Sequence, residues 1–287
     1  MAQSLTLGFS CPDQPGIVHS VSSFIVTVGG NITESQQYED RDTQLFFMRV
    51  AFDVADSANF ETIRQAFAAV AQRFAMKWKL VDSARKERVL LMVSQYEHCL
   101  NDLLFRHRSG ALDIEIPLIV SNHRDLEEMA AWYGIPFVHI AVTPESKNDS
   151  EHALHQLVSE HSIDLIVLAR YMQILSDDFC RDFSGNIINI HHSFLPSFKG
   201  AKPYHQAHER GVKLIGATAH YVTSQLDEGP IIEQEVARVD HAHTPDQLAA
   251  VGRDVEAQAL ARAVRWHAEH RVYLSGDRTI IRSEEHV

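Results

Sequence analysis

The chain has 287 residues, 45% of them apolar and 22% charged, which suits one large and one small globular domain and excludes a disordered or fibrous chain. Its 26 basic against 38 acidic residues leave a net charge of -12, a field that repels phosphate backbones and anionic lipid, so neither nucleic acid nor a membrane is an expected partner. Cys11, Cys99 and Cys180 are far apart and odd in number, without a C-x-x-C pair, and read as free thiols in a reducing compartment. No basic n-region precedes an apolar stretch at the N-terminus, and no apolar run approaches the roughly 20 residues that span a bilayer; a cytoplasmic protein is expected.

In chain order, residues 5–9 (LTLGF) predict a strand, CPDQPGI a turn, and residues 17–28 a helix that ends at Gly29-Gly30. Residues 31–38 and 44–52 predict a strand pair. Ile63, Phe67, Val70 and Phe74 lie at helical spacing within 60–74, and residues 76–81 return as a strand. The order is βαββαβ. The charged stretch 82–88 is the best linker, placing domains at 1–83 and 84–287. Beyond it, VLLMV, IPLIV, FVHIA, LIVLA and IINI are short apolar runs between helix-like segments, the pattern of buried parallel strands. Residues 216–222 and 230–239 predict later strands, and 246–269 a long closing helix. The fold class is α/β: a small ferredoxin-like unit followed by a Rossmann-like domain with a mostly parallel sheet. Ligands of such sheets bind at the carboxyl ends of strands, which directs attention to the residues after LIVLA and IINI.

There the chain reads NIINIHHSFLPSFKG, a strand running into a loop that carries Pro196 and Gly200. Asn189 and His191 are two apart, so on a strand both side chains point to one face. LDEGP places Asp227 in a turn directly before the next strand. An amide, an imidazole and a carboxylate suit acyl transfer from an amide, since they supply donors for an oxyanion, a proton carrier and a group that orients the nucleophile.

The run INIHHSFLPSFKGAKPYHQAHERGVKLIGATAHYV followed by LDEGPII closely resembles the formyltransferase-type folate enzymes, a group that holds both glycinamide ribonucleotide formyltransferases and formyltetrahydrofolate deformylases. The resemblance implies that Asn189, His191 and Asp227 are the catalytic trio, in the patterns N-x-H and L-D-x-G-P. It implies that Arg170, Met172, Gln173 and Leu175 in LARYMQILS contact folate, with Thr218, His220 and Leu226 lining the same pocket. CPDQPGI, the βαββαβ order and GRDVE at 252–256 extend it over the whole chain and make the first unit an ACT domain, a module that commonly binds amino acids between paired copies. Asp13, Gly16, Ile17 and a facing Asn31 are the effector-binding positions this implies, in a homo-oligomer, dimer or tetramer.

The transferases of this group carry a Gly/Ser-rich loop that cradles a phosphate after the first strand of the catalytic domain, as backbone amides at a helix N-terminus can. Here the corresponding stretch is SQYEH, and Glu97 sets a negative charge where a phosphate would sit. A ribonucleotide acceptor is disfavoured, and the double His of IINIHHSFLP agrees with the deformylase branch. The expected reaction is hydrolysis of 10-formyltetrahydrofolate to formate and tetrahydrofolate, with water activated by Asp227, the oxyanion held by Asn189 and His191, and no cofactor or metal. Two other enzymes stay open: a formyltransferase to an unidentified amine, and a metal hydrolase built on His191, His192, His205, His208 and His220. The second is weakened because adjacent residues such as His191 and His192 on a strand point to opposite faces. A folate-binding amino-acid sensor without catalysis is a third reading, against which the acidic Asp227 stands.

Overall fold

The computed structural model describes residues 2–193, 195 and 203–281. Pro196 and Gly200 lie outside the described residues. The chain forms two compact units, over 2–86 and 87–281.

The first unit runs β1 (Ala2–Pro12), α1 (Ile17–Thr27), β2 (Asn31–Asp40), β3 (Leu45–Ala55), α2 (Phe60–Arg73) and β4 (Lys77–Asp82), the expected βαββαβ order. Its sheet is antiparallel throughout, ordered β2-β3-β1-β4. Strands β1 and β3 reach 11 residues each, longer than their apolar runs predict, because each is hydrogen-bonded on both sides. Alternation puts Phe46, Met48, Val50, Phe52 and Val54 of β3, with Leu5, Leu7 and Phe9 of β1, into one core with Ile17, Val21 and Phe67 of the helices. Gly16 starts α1 at φ 93°, a left-handed conformation that disfavours any side chain, which explains the glycine of CPDQPGI. The proposed linker is shorter than 82–88, since Asp82 ends β4 and Arg88 already opens a strand, its amide donating to Asp164 Oδ2 at 3.0 Å.

The second unit runs β5 (Arg88–Val93), α3 (His98–Arg108), β6 (Glu115–Ser121), α4 (Glu127–Tyr133), β7 (Phe137–His139), α5 (Lys147–Glu160), β8 (Leu165–Leu168), α6 (Asp177–Asp182) and β9 (Ile187–His191). It continues through α7 (Pro203–Arg210), β10 (Leu214–Tyr221), β11 (Ile231–Arg238), α8 (Pro245–Ala268), β12 (Val272–Ser275) and β13 (Arg278–Ile281). The seven-stranded sheet is ordered β11-β10-β9-β8-β5-β6-β7; β5 to β9 are parallel and β10 and β11 antiparallel. Both faces are covered, which is why VLLMV is apolar without alternation. Val89, Leu91 and Val93 pack on Leu100, Leu103 and Val264, while Leu90 and Met92 pack on Leu154, Val158 and Phe179. The long closing helix starts where Thr244 accepts from the Gln247 amide and the Gln247 side chain accepts in return from the Thr244 amide, a reciprocal cap with Pro245 in its first turn. The β12–β13 hairpin, turning at Gly276, was not expected from the apolar pattern because each strand has only four residues.

Strand order reverses at β5, with β6 on one side and β8 on the other, so the crevice at the carboxyl ends of β5 and β8 is the topological switch point where such sheets bind ligands.

Candidate active site

Beside that switch point lies a cleft of about 220 Å³ lined by the loop after β8, the end of β9, His220 of β10 and residues 222–227. Antiparallel pairing sets Asn189 directly opposite His220, and His191 opposite Thr218. The His220 ring faces the Tyr221 carbonyl oxygen through Nδ1 at 2.9 Å, and a carbonyl only accepts, so Nδ1 carries the proton. Nε2 is then an acceptor, 3.3 Å from the Asn189 amide nitrogen, which donates to it. Burial pushes the His220 imidazole down from its ordinary value, in keeping with this neutral tautomer. His220 thus fixes which way the Asn189 amide points.

Asp227 reaches back from its turn at φ 58° and accepts from His191 Nδ1 at 3.2 Å. That bond is the main cause holding the Asp227 carboxyl below the usual carboxylate range, with burial opposing it. His191 Nε2 is buried and has no partner among the described residues. The three catalytic candidates therefore share one cleft, as the strand spacing predicts for two of them.

Of the expected substrate contacts, Arg170, Met172, Gln173, Leu175, His220 and Leu226 line the cleft. Met172 is 55% and Leu226 60% exposed, so both present apolar surface to solvent at the cleft. Thr218 does not line it. Its side chain is fully buried, donating to the Ser193 carbonyl at 3.0 Å and accepting from the Leu195 amide and the Gln234 side chain, both at 3.1 Å. Thr218 ties down the chain just after β9 instead of meeting a ligand, because its register opposite His191 lies under Ser193 and Leu195.

His191 and His192 do not diverge. Their rings stack at 4.8 Å and 19°, because β9 ends at His191 and the alternation of a strand stops with it. Burial first, then the Arg170 guanidinium and His191, push His192 down to about 4 from 6.5. Between those values the unfolded chain takes up a proton that the folded chain refuses, so the folded state is at full strength above pH 6.5 and loses stability as pH falls towards 4. The effect is on the order of 3 kcal/mol. Replacing His192 with Gln is expected to shrink the fall in melting temperature between neutral and acid pH by several degrees; equal falls in both proteins would exclude His192 as the source.

The five histidines of the metal reading form no metal-type group among the described residues. His205 and His208 stand on α7, and His208 Nδ1 contacts the His243 carbonyl. The group of that type is instead His98, Cys99 and Glu256, with ligand atoms within 4.8 Å of one another, and the Arg170 guanidinium already supplies a positive charge 3.4 Å from that carboxylate.

In the first unit, Gly16 and buried Ile17 lie at the end of β1 with Asp13, whose amide donates to the Gln44 carbonyl. Asn31 is not there. It pairs with Asp53 while Pro12 pairs with Leu45, so eight residues of strand, about 27 Å, separate it from the other three within one chain.

Residues 87–264 match the model of the formyl transferase family and residues 5–72 that of the ACT domain. The formyltetrahydrofolate deformylase of Corynebacterium sp. (strain P-1) is 52% identical over 277 residues, 96% of each chain. The chain belongs to the formyltetrahydrofolate deformylase family. The crystal structure of the formyltetrahydrofolate deformylase from Burkholderia mallei superposes with a TM-score of 0.94 at 48% identity, covering 98% of this chain and all of that one. A glycinamide ribonucleotide transformylase from Symbiobacterium toebii reaches 0.64 at 30% identity over 68% of this chain.

The other half of the crevice in this member of the deformylase family holds Ser94 and His98 of the SQYEH stretch together with Glu256, to which pattern reading gave no role. Ser94, at the end of β5, is buried; its hydroxyl donates to Asn122 Oδ1 at 2.6 Å and accepts from the Met172 amide at 2.9 Å. Glu256 on α8 is 2% exposed, yet its carboxyl is held below the usual range. Burial alone would raise it, and the His98 hydrogen bond, Arg170 and Tyr204 outweigh burial. His98 Nε2 donates to Glu256 Oε2 at 2.7 Å and Tyr204 donates to Oε1 at 2.9 Å. One turn earlier, a Cβ on Gly252 would stand 1.9 Å from the Tyr204 hydroxyl, so the G-x-x-x-E spacing of GRDVE admits Tyr204 to the carboxylate. That i, i+4 pair was the available signal.

Proposed function

We propose that this chain hydrolyses 10-formyltetrahydrofolate to formate and tetrahydrofolate, with Asp227, His191 and Asn189 as its catalytic residues. The observation that carries the assignment is the His191 ring: Nδ1 is 3.2 Å from Asp227, and Nε2 is buried without a partner among the described residues, in a cleft that Asn189 also lines. Asp227 orients a water and takes its proton as the oxygen attacks the formyl carbon. The Asn189 amide and the Nε2–H of protonated His191 hold the oxyanion, and His191 then delivers its proton to N10 as the C–N bond breaks. N10 bears an aryl group and is a weak base, so this proton delivery counts for more than it would for an alkyl amine. Acid–base help of this kind is worth about 10²- to 10⁴-fold, and one oxyanion donor about 3 kcal/mol. Arg170, Gln173, Leu175 and the exposed Met172 and Leu226 would receive the folate.

For the first unit the reading is a small amino-acid effector bound between two copies in a homo-oligomer, a dimer or tetramer. Two observations support it: β2 is an edge strand exposed along nearly its whole length, which a second copy would cover, and Asn31 can share a ligand with Asp13, Gly16 and Ile17 only across copies. Three buried free thiols suit a reducing cytoplasm, and no described helix is long and apolar enough to cross a membrane.

The test is purified protein with 10-formyltetrahydrofolate, a chelator and no amine. Equal amounts of formate and tetrahydrofolate are expected. Release only after an amine is supplied would replace the hydrolase with a transferase, and loss of activity on chelation would reinstate a metal.

A further inference from the structure

We propose that Glu256 is a specificity-determining residue of the hydrolysis described above: clamped by His98, Tyr204 and Arg170, it seals the half of the crevice between β5 and β8 through which an amine would approach the formyl carbon. This rests on the deformylase reading.

Four elements contribute. His98 opens α3 just beyond β5, Arg170 lies in the loop after β8, Tyr204 stands on α7 and Glu256 on α8. Arg170 joins the two halves of the site, because it lines the cleft that holds Asn189, His191 and Asp227 and also stands 3.4 Å from Glu256. Its guanidinium lies 5.0 Å over the Tyr96 ring, and the Tyr96 and His98 rings meet edge to face. The loop after β5 is thereby filled by aromatic and charged side chains that bind one another. A carboxylate offers about four acceptor positions, and His98, Tyr204 and Arg170 together occupy most of those of Glu256. The Glu256 carboxylate is therefore not free to bind an ammonium or to deprotonate an entering amine.

Amine and water would do the same chemistry. An amine nitrogen would form a bond to the formyl carbon and give up one proton, while the bond to N10 breaks and N10 takes one up. Nothing is oxidised or reduced, and an amine is intrinsically the better nucleophile, so an enzyme that favours water has to limit the amine's access.

The experiment offers hydroxylamine as probe and measures formohydroxamate against formate for the parent, Glu256→Ala and His98→Ala, with an enzyme-free control subtracted. His98→Ala is the safer variant for folding because Glu256 keeps Arg170 and Tyr204. The parent is expected to give formate almost alone. In the variants the ratio of formohydroxamate to formate should rise about tenfold or more, the discrimination one filled pocket supplies. A merely structural role would lower both products together and leave the ratio unchanged. An unchanged ratio in folded variants that still release formate would overturn the proposal, as would a parent that already formylates hydroxylamine readily. A parent that releases no formate with or without the probe would instead sink the deformylase reading, and this proposal with it.

Discussion

Asp227→Asn is expected to lower the rate of formate release by about 10²- to 10⁴-fold while leaving folate binding nearly unchanged. The substitution is chosen on backbone grounds. Asp227 sits at φ 58°, a left-handed conformation that Asn tolerates and most other side chains do not, so the turn should survive. The amide oxygen of Asn can still accept from His191 Nδ1, so the imidazole keeps its orientation. What is lost is the negative charge that, in the proposed mechanism, stabilises imidazolium and accepts the proton of water. The check is single-turnover formate release beside a fluorescence titration with unformylated folate. Turnover within about threefold of the parent, with binding intact, would remove the carboxylate from the mechanism.

Gly229→Ala should be the most damaging conservative change outside the trio. A Cβ at Gly229 would lie 1.8 Å from the Tyr221 carbonyl oxygen, a backbone atom that cannot swing aside. The next residue holds the two segments together, since the Tyr221 amide donates to the Pro230 carbonyl at 2.9 Å. Relief requires the turn carrying Asp227 to move away from β10, lengthening the 3.2 Å contact to His191. Overpacking of this kind costs about 3 kcal/mol, equivalent to a fall in melting temperature of roughly 6–12 °C for a domain of this size. Turnover should fall further than stability alone explains, since the folded fraction would hold a displaced carboxylate. A folded variant with parental turnover would show that Asp227 is not positioned by this close approach. The glycine of L-D-x-G-P thus has a steric cause, independent of any turn propensity.

Local chemistry made much of this protein readable without coordinates. Period-two alternation in β3 and unbroken apolar runs in β5 and β8 report whether one or both faces of a sheet are covered, which separates the antiparallel first unit from the parallel second one. The two-residue spacing of Asn189 and His191 on β9 is a property of any strand, so their convergence needed no tertiary information. The spacing rule failed one residue later, because where β9 ends is set by its pairing with β10 and not by the residues themselves.

Long-range contacts lay beyond that reach. Thr218 and His220 are alike in sequence terms, polar residues two apart on β10, yet one ties down the chain after β9 and the other orients Asn189. Asn31 and Gly16 are close in sequence but lie at opposite ends of a sheet whose register only the folded chain defines. Glu256 shows the division most plainly: in sequence it is one acidic residue among 38, and its partners stand 158, 86 and 52 positions away. The sequence by itself determined the two-unit architecture and the family, and singled out the Asn189, His191 and Asp227 positions, because these rest on periodicity and on motifs a few residues long. Only the tertiary structure decided which polar side chains reach the cleft and what fills its second half, because a carboxylate's burial and its donors are set by elements brought together from across the chain.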